Sequence, residues 1–193
     1  MRHESDEVSH LTIEVLLKDP AWRETFSPAA ALGRKAAAAA LATLGCGPAD
    51  EVSIVLADDA FVRRLNRDYR GEDSATNVLA FPGTSENGEG PTAEPASGPD
   101  NAPRLLGDVV LAHETVVAEA TEQGKRLGDH LAHLVVHGVL HLFGYDHHTD
   151  AEAVIMERLE ARILATLAIE DPYRPVRRQK RRALDEKHER PIQ

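Results

Sequence analysis

Apolar and polar positions alternate from Leu11 to Leu17, which predicts a first strand. Further strands read at Glu51–Ala57, at Asn77–Phe81 (stopped by Pro82) and at Leu105–Leu111. Between these runs the period changes to that of helices. Ser27-Pro28 supplies an N-cap and a proline suited to a first helical turn. An alanine-rich helix should follow to about Leu44 and end at Gly45 or Gly47. Asp58 and Asp59 cap a short helix through Leu65. Two further helices are expected from about His113 to Leu127 and from Asp129 to Leu142. Thr149-Asp150-Ala151-Glu152 is a capping box opening a last helix. That helix should run to about Leu167, with Ile155, Leu159, Ile163 and Leu167 on its buried side. The order of elements implies an α/β (α+β) fold, a small mixed sheet of about four strands covered by helices. Strands this apolar need helices on both faces.

Two segments stand apart. Residues 83–104 are rich in Gly, Pro, Ser, Glu and Asn and read as a disordered insertion. Residues 174–193 read as a basic tail that does not pack. The single domain is therefore expected over residues 1–173.

Charge and cysteine content narrow the function classes. The formal net charge is −10, yet the tail alone carries eight basic residues and three acidic ones. An acidic body is a poor general binder of nucleic acid, so any polyanion must be met by particular arginines and the tail. The lone Cys46 excludes a disulfide framework and a cysteine zinc cluster, and fits a reducing, cytoplasmic setting. No signal peptide or membrane-spanning run is apparent.

The densest chemistry is His-Gly-Val-Leu-His-Leu-Phe-Gly-Tyr-Asp-His at 137–147. On a helix, His137 and His141 project from one face, one turn apart. Gly144 suits the left-handed residue that ends a helix, letting the chain return with His147. Three neutral imidazoles with an open fourth position match catalytic zinc. The spacing is that of the metzincin proteases, H-E-x-x-H-x-x-G-x-x-H, except that Gly138 replaces the glutamate base. A glycine there leaves room for something large to approach the metal. His130 and His133 lie on the same helix, and His133/His137 is a competing pair. His133 and His141 are about 12 Å apart and cannot share an ion. His148 rivals His147 as third ligand but misses the template; Asp146, His148 and Asp150 are candidate outer partners of the ligands.

A second constellation runs from Leu65 to Pro82. Arg70 lies at a helix end, where Gly71 permits a turn. Its guanidinium could grip phosphate oxygens beside a metal-activated water.

Residues 65–82, Leu106-Gly107-Asp108-Val109-Val110-Leu111 and the 137–147 signature together resemble the YbeY family, bacterial metal-dependent endoribonucleases of ribosomal RNA maturation. The resemblance covers about 11–167, leaving out the insertion. It implies a small α/β fold, one Zn²⁺ on His137, His141 and His147, and Arg70 as the arginine acting in cleavage. It also implies single-stranded rRNA as substrate, trimming of the 3′ end of small-subunit rRNA, and ribosome or small-subunit partners in quality control. The family commonly reads Thr-Asp-Val-Leu-Ser-Phe-Pro where this chain has Thr76-Asn77-Val78-Leu79-Ala80-Phe81-Pro82. The lost carboxylate questions any role of residue 77 in tuning the metal or orienting the arginine.

The expected reaction is metal-assisted cleavage of an RNA phosphodiester, by hydrolysis with water or by attack of the RNA 2′-OH, with the base open among the metal hydroxide, Asp146 and another histidine. Two alternatives stand beside it. A zinc metallopeptidase fits the histidine spacing but not Gly138. A non-catalytic, zinc-stabilised ribosome-assembly factor would use Arg70 as a phosphate anchor only. In the tail, Arg177, Arg178, Lys180, Arg181 and Arg182 are candidate RNA contacts with a salt-dependent affinity.

Overall fold

The computed structural model describes residues 11–47, 50–83 and 104–174. Most of the 83–104 insertion, and the tail with Arg177, Arg178, Lys180, Arg181 and Arg182, lie outside the described residues. The elements run β1 (Thr12–Leu17), α1 (Ala21–Thr25), α2 (Ala29–Thr43), β2 (Asp50–Ala57), α3 (Asp59–Arg70), β3 (Val78–Pro82), β4 (Arg104–Ala112), α4 (His113–Glu122), α5 (Leu127–Leu142) and α6 (Asp150–Thr166).

The strands form one sheet in the order β1-β2-β4-β3. Strands β1, β2 and β4 are parallel, and β3 runs antiparallel along the edge beside β4. The fold is the mixed α/β sheet expected, with helices on both faces. The period of two along each strand divides the core. Val52, Ile54, Leu56, Val109 and Leu111 join the cluster shared with α2, α5 and α6. Val55, Ala57, Leu79, Val110 and Ala112 join the smaller cluster with Val62 of α3. Strands β2 and β4 are thus covered on both faces over most of their length and read as nearly unbroken apolar runs, whereas edge strand β1 leaves Thr12, Glu14 and Leu16 exposed on one face.

The elements depart from expectation at four places. Helix α1 was not anticipated; it is only five residues long. It is fixed from outside by Trp22, which is fully buried and donates its indole N–H to the Ala57 carbonyl at 3.0 Å. Helix α3 runs on to Arg70 and stops at Gly71 in the left-handed conformation; Val62 and Asn66 face inward, and Arg63, Arg64, Arg67 and Asp68 are exposed. Helix α4 stops at Glu122 and α5 starts two residues earlier than expected, at Leu127. In α6 the buried stripe is Met156, Glu160, Ile163 and Leu164, and Ile155 is 58% exposed. The capping box at Thr149 and Glu152 is present, so the helix starts as expected but is rotated by one residue.

Helix α5 is the hub that positions the site. It packs on α2, α4, α6, β3 and β4. Leu131, Leu134, Val135, Val139 and Leu142 give it a broad apolar face.

Candidate metal centre and its supports

Helical periodicity places His137 and His141 side by side. Their Nε2 atoms face each other 3.0 Å apart. Helix α5 then ends in a Schellman motif: the Gly144 N–H donates to the His141 carbonyl at 3.0 Å and the Tyr145 N–H to the Leu140 carbonyl at 3.2 Å. Gly144 takes φ +77°, which a side chain would strain. The turn returns His147, whose ring centre is 5.5 Å from that of His137 and 5.2 Å from that of His141. One ligand atom from each ring lies within 4.8 Å of the others, so the trio could hold one metal ion. Two ligands of a tetrahedral zinc ion stand about 3.3 Å apart, so small ring movements suffice. Burial, then the neighbouring His137 and His147, push the His141 pKa down to about 4. At neutral pH that ring is the uncharged donor a cation needs. His147 is exposed, which leaves one side of the trio open to solvent.

A buried carboxylate backs this cluster. Glu160 of α6 is fully buried. Its Oε1 accepts from His137 Nδ1 at 2.8 Å, and its Oε2 accepts from His133 Nε2 at 3.0 Å and from the Tyr173 hydroxyl. Burial alone would raise the Glu160 pKa, but the hydrogen bonds from His133, His137 and Tyr173 outweigh it and bring it to about 2. The sequence reading passed over Glu160. The available signal was a carboxylate in the inward stripe Met156–Glu160–Ile163–Leu164, opposite two histidines of another helix.

Gly138 has a different reason from the one expected. A Cβ there would lie 2.4 Å from Val109 Cγ1 and 3.3 Å from Val78 Cγ2. The glycine admits close approach of α5 to the sheet, on the side of the helix that meets β3 and β4.

The remaining candidates scatter around this core. The Asp146 carboxylate accepts from the His147 N–H at 2.7 Å and pairs with His148 Nε2 at 2.7 Å, so His148 is engaged away from the trio. The His147 N–H also holds the Asp146 pKa below the usual carboxylate value. Asp150 is exposed in the first turn of α6, and its side chain makes no hydrogen bond among the described residues. Arg70 ends α3, exposed, its guanidinium making no hydrogen bond or ion pair among the described residues. Its neighbour Tyr69 leans edge-on against Phe81 of β3, ring centres 5.2 Å apart. Edge strand β3 therefore touches the end of α3 through Phe81 and the His137–Gly138 turn of α5 through Val78. Asn77 donates its amide to both oxygens of Glu119, at 3.1 and 3.0 Å, and Glu119 also binds His130 Nε2 at 2.9 Å. Residue 77 thus serves the N-terminal half of α5, two turns from His137.

Asp19, His113 and Glu114 form a second group with suitable ligand spacing. Each of the three has one polar atom engaged in the fold. Asp19 caps the Ala21 N–H at 3.0 Å, Glu114 accepts from the Asp59 N–H at 2.9 Å, and His113 Nε2 meets Thr25 Oγ1 at 3.0 Å.

No helix among the described residues is long and apolar enough to cross a membrane. Residues 22–168 match the family model described as Endoribonuclease YbeY. The Endoribonuclease YbeY of Paramagnetospirillum magneticum is 51% identical over 166 residues, spanning 84% of this chain and 97% of that protein. The one from Rhodopseudomonas palustris strain HaA2 is 49% identical over 161 residues, spanning 83% and 80%. That of Nitrobacter hamburgensis is 46% identical over 166 residues, spanning 86% and 83%. With identity near one half across almost the whole of these relatives, the chain belongs to the YbeY endoribonuclease family.

Proposed function

We propose that this chain is a cytoplasmic, Zn²⁺-dependent endoribonuclease that cleaves single-stranded ribosomal RNA, trimming the 3′ end of small-subunit rRNA and serving ribosome quality control. The observation that carries the proposal is the convergence of three imidazoles at a solvent-open point, in a chain about half identical to endoribonucleases.

His137, His141 and His147 would hold the ion. A divalent cation supplies, when bound, a Lewis acid that activates an oxygen nucleophile and offsets charge on the phosphoryl group. The chain's own groups do the rest. Glu160 fixes the His137 ring so that Nε2 faces the other two imidazoles. Arg70, exposed and unpaired among the described residues, would grip the phosphate by its two parallel N–H groups. Gly138, packed on Val109, leaves no side chain at the position where a metzincin carries its base, which argues against peptide hydrolysis. The run Arg177, Arg178, Lys180, Arg181 and Arg182 would add phosphate contacts, so deleting residues 174–193 should weaken RNA affinity and flatten its salt dependence.

The test uses purified protein with single-stranded RNA and with casein. Wild type should cleave RNA and leave casein intact. His141→Ala and Arg70→Glu should each lose RNA cleavage while keeping the wild-type circular dichroism. Casein turnover that depends on His141 would contradict the proposal, as would RNA binding with no cleavage by any form. A 2′,3′-cyclic phosphate at the product end would assign the attack to the RNA 2′-OH.

A further inference from the structure

Tyr173 lies five residues beyond the stretch that matches the family model, which ends at 168. It nevertheless reaches the support of the candidate metal centre. Its hydroxyl donates to Glu160, and its ring stands edge-on to His133, centres 5.5 Å apart at 87°. The route there needs a reversal after α6. Ala168 makes it at φ +59°, a left-handed conformation that residues other than glycine rarely adopt. The Ile169 N–H closes the turn on the Leu164 carbonyl at 3.1 Å, and the Tyr173 N–H is held by Asp171 at 3.0 Å. A strained turn that delivers one hydroxyl to one buried carboxylate calls for an explanation.

We infer that Tyr173, acting through Glu160, is a positioning residue for the metal ligand His137. The logic is one of donors and acceptors. An ionised carboxylate only accepts. Glu160 Oε1 therefore requires the proton of His137 on Nδ1, which leaves the Nε2 lone pair turned to His141 and His147. The same rule puts the proton of His133 on Nε2, and His133 Nδ1 is indeed a buried nitrogen without a partner. A carboxylate held by two imidazoles alone could rotate about its last bond and release His137. The Tyr173 hydroxyl occupies Oε2 together with His133 and so fixes the plane in which Oε1 meets His137. This inference rests on the three-histidine metal site of the proposed function, but not on RNA cleavage.

The test is a double-mutant cycle on Zn²⁺ affinity, measured by competition with a chromophoric chelator. It uses the full chain as wild type, Tyr173→Phe, Glu160→Gln and the pair. Glu160→Gln should weaken Zn²⁺ by about 10- to 100-fold. Tyr173→Phe removes one hydroxyl from a part-exposed ring and should weaken it about threefold or more. The Tyr173 hydroxyl also meets His133 Nε2 at 3.1 Å, but its path to His137 runs through Glu160, so the pair should be no weaker than Glu160→Gln alone. The absorption bands of Co²⁺ bound in place of Zn²⁺ should shift in both single variants, a change that a purely structural contact would not produce. Tyr173→Phe within twofold of wild type, or losses that add in the pair, would overturn the inference. If Glu160→Gln does not fold, Tyr173→Phe alone decides, by affinity and by the Co²⁺ bands. A wild type that takes up no divalent cation would overturn the metal site itself, a different outcome from tight wild-type binding that Tyr173→Phe leaves unchanged.

Discussion

Helix α5 offers histidines to two carboxylates, and the two partnerships differ. Near its start, His130 meets Glu119 of α4, whose side chain is 29% exposed and also receives the Asn77 amide. One and two turns on, His133 and His137 meet Glu160, which is 0% exposed and takes a third donor from Tyr173. Both pairs show a ring nitrogen near 2.9 Å from a carboxylate oxygen. What separates them is where the other nitrogen of the ring goes. His130 Nδ1 ends buried without a partner, whereas His137 Nε2 opens onto two more imidazoles. Pairing with a carboxylate is therefore common to a packing contact and to a metal-site support. The far nitrogen and the depth of the acid distinguish them.

The comparison can be broken most forcefully at the acids. Glu160→Ala leaves two imidazoles and a phenol facing an empty, dry position, and should cost about 3 kcal/mol in urea unfolding. Glu119→Ala, nearer water, should cost about 1 kcal/mol. Equal losses would mean that burial does not separate the two sites. The next largest effect is expected at Gly138, where α5 meets the sheet at Val109 and Val78. Gly138→Ala sets a Cβ 2.4 Å from Val109 Cγ1. Overpacking of this kind costs about 1–3 kcal/mol, of which the better helix propensity of alanine returns about 1. Adding Val109→Ala should remove the clash, so the double variant should fall short of the summed losses. Smaller again is Asn77→Asp. It restores the family's usual residue but aims a carboxylate at Glu119, and should cost under about 1 kcal/mol at pH 7, shrinking in high salt.

The smallest effect concerns pH. Burial outweighs the Glu119 hydrogen bond and lowers the pKa of His130 from its usual 6.5. The unfolded chain then binds a proton before the folded one does, so stability falls as pH drops below about 6.5 and levels off beneath the folded value. His130→Gln should make that decline shallower between pH 7 and 5, read from urea midpoints. An unchanged slope would show that His130 does not contribute to it.

The sheet was legible because central strands β2 and β4 are covered on both faces and carry nearly continuous apolar runs, while edge strand β1, exposed on one face, alternates. Helix α5 and its closing turn were legible because histidine spacing and a glycine stop leave little choice of geometry. Three things were not. Helix α1 is too short to show a period and exists because Trp22 is buried elsewhere. The register of α6 depended on whether Glu160 faced inward, and a charge at that position argues for solvent until its three donors are known. The role of Gly138 was hidden because glycine signals room without saying for what; Val109, some thirty residues away, fills it. In each case the deciding partner is distant in sequence. The relation of Asn77 to Glu119 is of the same kind, joining β3 to α4.

The most direct test of the account is the rate of single-stranded RNA cleavage by chelator-stripped protein as Zn²⁺ is added back. The account expects no cleavage without metal, a rate that rises to a plateau at one ion per chain, and no recovery at one equivalent in His147→Ala. Full cleavage in excess chelator, or identical recovery by wild type and His147→Ala, would contradict it.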